Sequence, residues 1–185
     1  NVQYPTNNEK TRLMTDVLYP TFGTETRVLA HTRAVCNGLS NKHCKSFVLD
    51  ISETHDSGKG SMTKMMHSAI NNYFGQMSSN DMQSKDNTKR EGWASLENVR
   101  CACVTEVGGV RFGDQLFKEG TSGDQSMNCR KLNHNRGKTS QRAEYLIIAE
   151  GNTPPILNTS DPAIMKRLKA FELKNRFVID PSKIE

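Results

Sequence analysis

The stretch that most constrains this chain is residues 46–74. A short apolar run, Phe47-Val48-Leu49-Asp50-Ile51, has the length and β-branched content of a strand. A polar turn, Ser52 to Ser57, leads into Gly58-Lys59-Gly60-Ser61. Met62, Met65, Met66, Ala69, Ile70, Tyr73 and Phe74 then recur at the spacing of one helical face, which predicts an amphipathic helix reaching Phe74. In a strand–turn–helix of this kind, backbone N–H groups at the helix start can cradle an anion, and a lysine adds a point charge. The plainer alternative is a glycine turn that only joins strand to helix.

The phosphate-loop pattern G-x-x-x-x-G-K-[ST] fits in part. With Lys59 as its lysine, Glu53 stands at the first glycine, Gly60 stands where a magnesium-binding hydroxyl belongs, and Ser61 follows one residue late. A rival register uses Gly58 and Lys64 but puts Thr63 and Met65 at the other key places. The Lys59 register is preferred because the helical period begins directly after it.

A chain of 185 residues predicts one domain with a real core, and an opening Asn1 suits a portion of a longer protein. Apolar content of 35% and mean hydropathy of −0.67 predict a polar surface with long loops, or a core shared with neighbouring subunits. Twenty-five basic against 20 acidic residues favour an anionic partner without identifying it. The five cysteines form no C-x-x-C pair; Cys101 and Cys103 read as small core residues of a buried strand, and the odd count suits a reducing compartment. No apolar run approaches the roughly 18 residues of a membrane span, so no membrane role is expected. His31, His43, His55 and His67 are evenly spaced with no repeat behind them.

Two helices are predicted before the first strand. One covers residues 12–19 and is stopped by Pro20; the other covers 25–39, its last turn weakened by Gly38. Residues 75–91 read as a long solvated loop, 99–105 as a second strand ending at Glu106, and 112–118 as a short helix. The stretch 124–142 carries Arg130, Lys131, Arg136, Lys138 and Arg142. A third strand, 143–149, runs into Asn152 and Pro154-Pro155. A short helix follows over 162–168, with Pro162 in its first turn, and then a final strand around Leu168 to Leu173. Alternating strands and helices predict an α/β three-layer sandwich, in which ligands sit at the carboxyl ends of the strands.

The order of Lys59, Glu106 and Asn152 at three strand ends, followed by an arginine, resembles superfamily 3 helicases, above all the D5-type primase-helicases of poxviruses and other large DNA viruses. The likeness is carried by Asp56-Ser57-Gly58-Lys59 with residues 64–70, then Cys103-Val104-Thr105-Glu106 and Thr121-Ser122-Gly123-Asp124. Arg130-Lys131, residues 143–148, Asn152-Thr153-Pro154 and residues 161–167 complete it, over roughly 13–178 in all. The resemblance implies a three-layer P-loop NTPase (AAA+-like) core with a mainly parallel sheet over 46–185, behind an N-terminal helical lead-in at 1–45. It makes Lys59 the Walker A lysine, with Ser57, Gly58, Gly60 and Ser61 around the nucleotide. Glu106 becomes the Walker B acid, Asn152 the sensor asparagine, and Arg167 the arginine finger reaching a neighbouring subunit's nucleotide, with Arg176 as the alternative. ATP or another NTP and Mg2+, the metal served by Ser61 and Glu106, are the implied cofactors. The region from Gly123 to Lys131 would match the family's DNA-touching hairpin, and Arg130, Lys131, Arg136 and Lys138 would contact DNA.

On this resemblance the chain is expected to be the NTP-hydrolysing motor core of a ring-forming viral-type DNA replication helicase. Its implied partners are single-stranded or forked DNA, five further copies in a homo-hexamer, and a primase domain in a longer parent chain. The implied location is intracellular, at the site of viral DNA replication. Two alternatives stand beside it: a degenerate relative that binds nucleotide and DNA but hydrolyses poorly, and an unrelated P-loop enzyme such as a small nucleotide kinase. Each residue also has a plainer role: Glu106 as an exposed strand-end acid, Asn152 as a turn residue before prolines, and Arg167 as part of a solvated basic face. The basic run likewise reads as a solvated loop, and without interleaved aromatics it has little to stack on bases.

Overall fold

The computed structural model describes residues 4–40, 45–83, 91–123, 125–129 and 139–178. The chain opens with α1 (Asn7–Arg12), whose N-terminus is closed by a reciprocal capping box between Thr6 and Glu9. It does not stop before Pro20, as the sequence predicts. A π-helical turn, Leu13–Leu18, carries it into α2 (Tyr19–Phe22), and Gly23 ends it at φ 81°. The cause is local. Pro20 has no N–H to give and its ring crowds the preceding turn, so the widened turn, in which Tyr19 N–H reaches Met14 C=O, lets the helix pass the proline. Thr24 then caps α3 (Glu25–Leu39).

Five parallel strands form the central sheet: β1 (Phe47–Ile51), β2 (Phe74–Met77), β3 (Cys101–Val104), β6 (Leu146–Gly151) and β7 (Leu168–Glu172). Their spatial order is β2-β3-β6-β1-β7. A separate antiparallel pair joins β4 (Ser126–Cys129) to β5 (Thr139–Arg142). The remaining helices are α4 (Lys59–Ile70), α5 (Glu91–Ala94), α6 (Asp114–Gly120) and α7 (Pro162–Arg167).

Alternation along the strands builds two apolar layers, as a sheet covered on both faces requires. Phe47, Leu49, Ala102, Val104, Ile147 and Ala149 share one buried cluster with Trp93, Leu116, Phe117 and Ile164, so α5, α6 and α7 cover that face. Val48, Cys101, Leu146 and Ile148 face Ala34, Val35 and Leu39 of α3 and Met66 and Ile70 of α4. Gly38 is a close-packing residue: a side chain there would collide with Leu146. This α/β architecture of helices around a parallel sheet agrees with the predicted layering.

Two further local expectations fail. The helix after Lys59 ends at Ile70, Asn71 turns the chain at φ 43°, and Phe74 opens β2 against Cys101. Of the predicted 75–91 loop, residues 75–83 are no solvated loop: with Phe74 they supply the edge strand β2 and a 3-10 turn, Ser79–Met82, with Met82 fully buried, while 84–90 lie outside the described residues. The β4–β5 hairpin is tied to the core by the Gln141 side-chain amide, which donates to the Trp93 carbonyl, while Trp93 Nε1 donates to the Asp81 carbonyl at 2.9 Å. Arg130, Lys131, Arg136 and Lys138 lie between its strands, outside the described residues. Among the described residues no helix is long and apolar enough to cross a membrane.

Candidate functional site at the carboxyl ends of β1 and β6

From β1 the chain crosses through α4 to β2 at one edge; from β6 it crosses through α7 to β7 at the other. β1 and β6 are neighbours whose onward connections run in opposite directions, which opens a crevice at their carboxyl ends. The Gly58–Lys59 turn fills one side of that crevice. Gly58 holds φ 89°, a conformation that favours glycine, and no side chain caps the first turn of α4. The N–H groups of Lys59, Gly60 and Ser61 therefore have no partner within the helix. They border a cavity of about 400 Å³ lined by Asp56, Ser57, Gly58, Lys59, Gly60, Ser61, Lys64 and Phe177.

Lys59 is the hub. Its Nζ donates to Asn152 Oδ1 at 3.2 Å, to Ser57 Oγ at 3.1 Å and to the Ser52 carbonyl at 3.5 Å. The turn after β1 and the end of β6 are thus joined by one ammonium. Asn152 follows directly on β6. Glu106 lies two residues past β3, exposed and at φ 55°. The loops carrying these two residues are stitched together: Val107 N–H donates to the Glu150 carbonyl, and Gly109 N–H to the Pro154 carbonyl. Gly151 permits this approach, since a Cβ there would sit 3.0 Å from the Thr153 carbonyl oxygen and 3.1 Å from Val107 Cγ2.

Lys59, Ser57, Asn152 and the turn glycines therefore come together. Ser61 lies exposed in the first turn of α4. Gly60 is exposed, with open space where a side chain would project. Arg167 closes α7 away from the cavity lining: its Nη1 donates back to the Ala163 carbonyl at 3.1 Å, and its Nε is buried without a partner. Among the described residues no group of three or more His, Cys, Asp or Glu side chains is arranged to hold a metal ion.

Beneath Lys59 lies a feature the sequence reading passed over. Asp50 and Glu150 are direct partners across β1 and β6, both buried and both facing α3 and α4. His31 Nε2 meets Asp50 Oδ2 at 3.1 Å, while Asp50 Oδ1 has no partner. Burial pushes the Glu150 carboxyl up to about 7; the Asp50 carboxylate pushes the same way, Lys59 opposes, and Glu106 adds to the rise. Cys101 and Cys103 are pushed up to about 12, burial first, so they stay thiols and serve as core residues. The legible signal was an acid inside each otherwise apolar run, Phe47-Val48-Leu49-Asp50-Ile51 and Leu146-Ile147-Ile148-Ala149-Glu150.

No family model matches the chain, and no curated protein does. Solved structures do. An A-form apo structure of the NrS-1 C-terminal region (305–718) is similar with TM-score 0.64 at 12% identity, covering 92% of this chain and 39% of that one. A further A-form apo structure of the region gives 0.65 at 13% identity, and another apo structure (305–718) gives 0.62 at 14%, each covering 92% of this chain and 40% of the other. What is shared is the fold. This chain spans about two fifths of the length of these neighbours.

Proposed function

We propose that the chain is the nucleotide-binding core of a ring-forming DNA replication helicase. The observation that carries this reading is the ammonium of Lys59, fixed by Ser57 and Asn152 at the uncapped start of α4 and facing a cavity of about 400 Å³. A triphosphate needs backbone donors plus a cation at one place, and here the chain supplies both. Lys59 and the N–H groups of residues 59–61 would bind the phosphates. Asn152, which accepts from the same ammonium, would orient a water, and Glu106 at the neighbouring strand end would polarise it. Magnesium, if bound, would supply charge neutralisation there, and Ser61 and Glu106 would be the residues to serve it. Arg167 would act on the site of a neighbouring copy in a homo-hexamer. The fold likeness to the NrS-1 region supports the architecture. Arg130, Lys131, Arg136 and Lys138, which follow β4 in the sequence, would contact DNA.

One observation favours a second reading, a relative that binds nucleotide and DNA but turns over slowly. Gly60 offers no hydroxyl where P-loop enzymes place a metal ligand, and the Ser61 side chain is exposed one residue on. Magnesium-dependent NTP hydrolysis, measured with and without single-stranded DNA, tests both. Weak hydrolysis stimulated by DNA is expected, rising roughly tenfold in Gly60→Ser, because the new side chain enters open space. Ser61→Ala should remove what activity the native chain has. Robust hydrolysis insensitive to both changes would show that this turn is not the catalytic loop.

A further inference from the structure

One lining residue of the cavity, Phe177, comes from a distant part of the chain. After β7, Leu173 is buried against Phe22 and Val28, and its N–H donates to the Ile51 carbonyl at 2.7 Å. The guanidinium of Arg27 binds the Glu172 carbonyl, and the Asn175 amide binds the Pro20 carbonyl. Phe177 N–H then donates to the Asp56 carbonyl at 2.9 Å. The segment is thus strapped at four points, on α2, α3, the end of β1 and the turn before Lys59. Its last anchor sets the Phe177 ring over Gly58, with Cε2 at 3.1 Å from where a Gly58 Cβ would stand. Glycine at 58 therefore serves two ends: the left-handed turn and room for the ring.

The ring is 40% exposed, and among the described residues it meets no other aromatic. A core phenylalanine is buried; this one helps line the cavity beside Lys59 and Lys64. We propose that Phe177 is the platform on which the base of a bound nucleoside triphosphate stacks. The assignment rests on the reading that the start of α4 holds the phosphates. An unsubstituted phenyl ring has no donor or acceptor to read a base edge, so it accepts purines and pyrimidines by stacking. The site should then grip nucleotides with little base preference.

Calorimetric titration of the intact chain with ATP and with inorganic tripolyphosphate separates the ring from the lysine. Phe177→Ala is expected to weaken ATP binding roughly ten- to a hundredfold and leave tripolyphosphate within about twofold. Phe177→Trp should keep ATP binding, and Phe177→Leu, apolar but without a ring, should behave like alanine. Equal loss of both ligands in Phe177→Ala would make the ring a mere cover for the turn, and tighter binding of both would make it a plug; either overturns the platform. Lys59→Ala should weaken both ligands. Tripolyphosphate binding unchanged in Lys59→Ala would overturn the phosphate reading, and the platform with it.

Discussion

Replacing Lys59 with alanine is expected to weaken ATP binding roughly ten- to a hundredfold, the effect of removing a charged partner from a phosphate. Lys64→Ala should stay within about threefold, since an exposed ammonium at the cavity rim acts mainly through screened charge. The difference follows from position. Lys59 is partly buried and held by Ser57, Ser52 and Asn152, whereas Lys64 stands exposed five residues further along the helix. Calorimetric titration of both variants, beside a thermal melt to confirm folding, decides it. A large loss in Lys64→Ala with Lys59→Ala unchanged would move the loop to the rival register.

The second large effect concerns acid stability. Folded Glu150 keeps its proton up to about pH 7, whereas an ordinary glutamate releases it near 4.5. Between those values the folded state binds more protons than the unfolded one, so stability falls as pH rises through the window. Glu150→Gln removes the titration and should flatten this fall, leaving the variant on the order of 2–3 kcal/mol less dependent on pH than the native chain. Urea unfolding at about pH 5 and about pH 7.5 measures both slopes. Equal slopes would mean that Glu150 titrates normally in the fold. Lys59→Ala gives a cross-check: without the ammonium that lowers the Glu150 pKa, the window should extend upward.

What could be read from the sequence depended on how each element earns its place. β1, β3 and β6 are buried on both faces, so their apolar runs announced them. β2 is an edge strand written Phe74-Gly75-Gln76-Met77; without a sustained apolar run it looked like loop, and Phe74 looked like the end of a helix. Pro20 misled because the breaker rule assumes ordinary α-helical hydrogen bonding, which the π-turn suspends. In the site, Lys59 and Asn152 were legible from order along the chain, and their hydrogen bond was not. Asp50 with Glu150, and Phe177 with Gly58, are pairings made only when distant strands close, and no local pattern announces them.

The sheet order also has a consequence for how the chain is made. β1 lies between β6 and β7, so Phe47 must wait for Ile147 to close one side and Leu168 the other. While the ribosome is still producing the segments between, the apolar run Phe47–Ile51 stands with two open edges, a template for any other unpaired strand. Contacts this far apart in sequence slow folding, because each closes a long loop before it returns any stability. A chain cut short before β6 should therefore aggregate rather than fold, and slow synthesis or a holding chaperone should matter more for its yield than for proteins whose first strand pairs with the second.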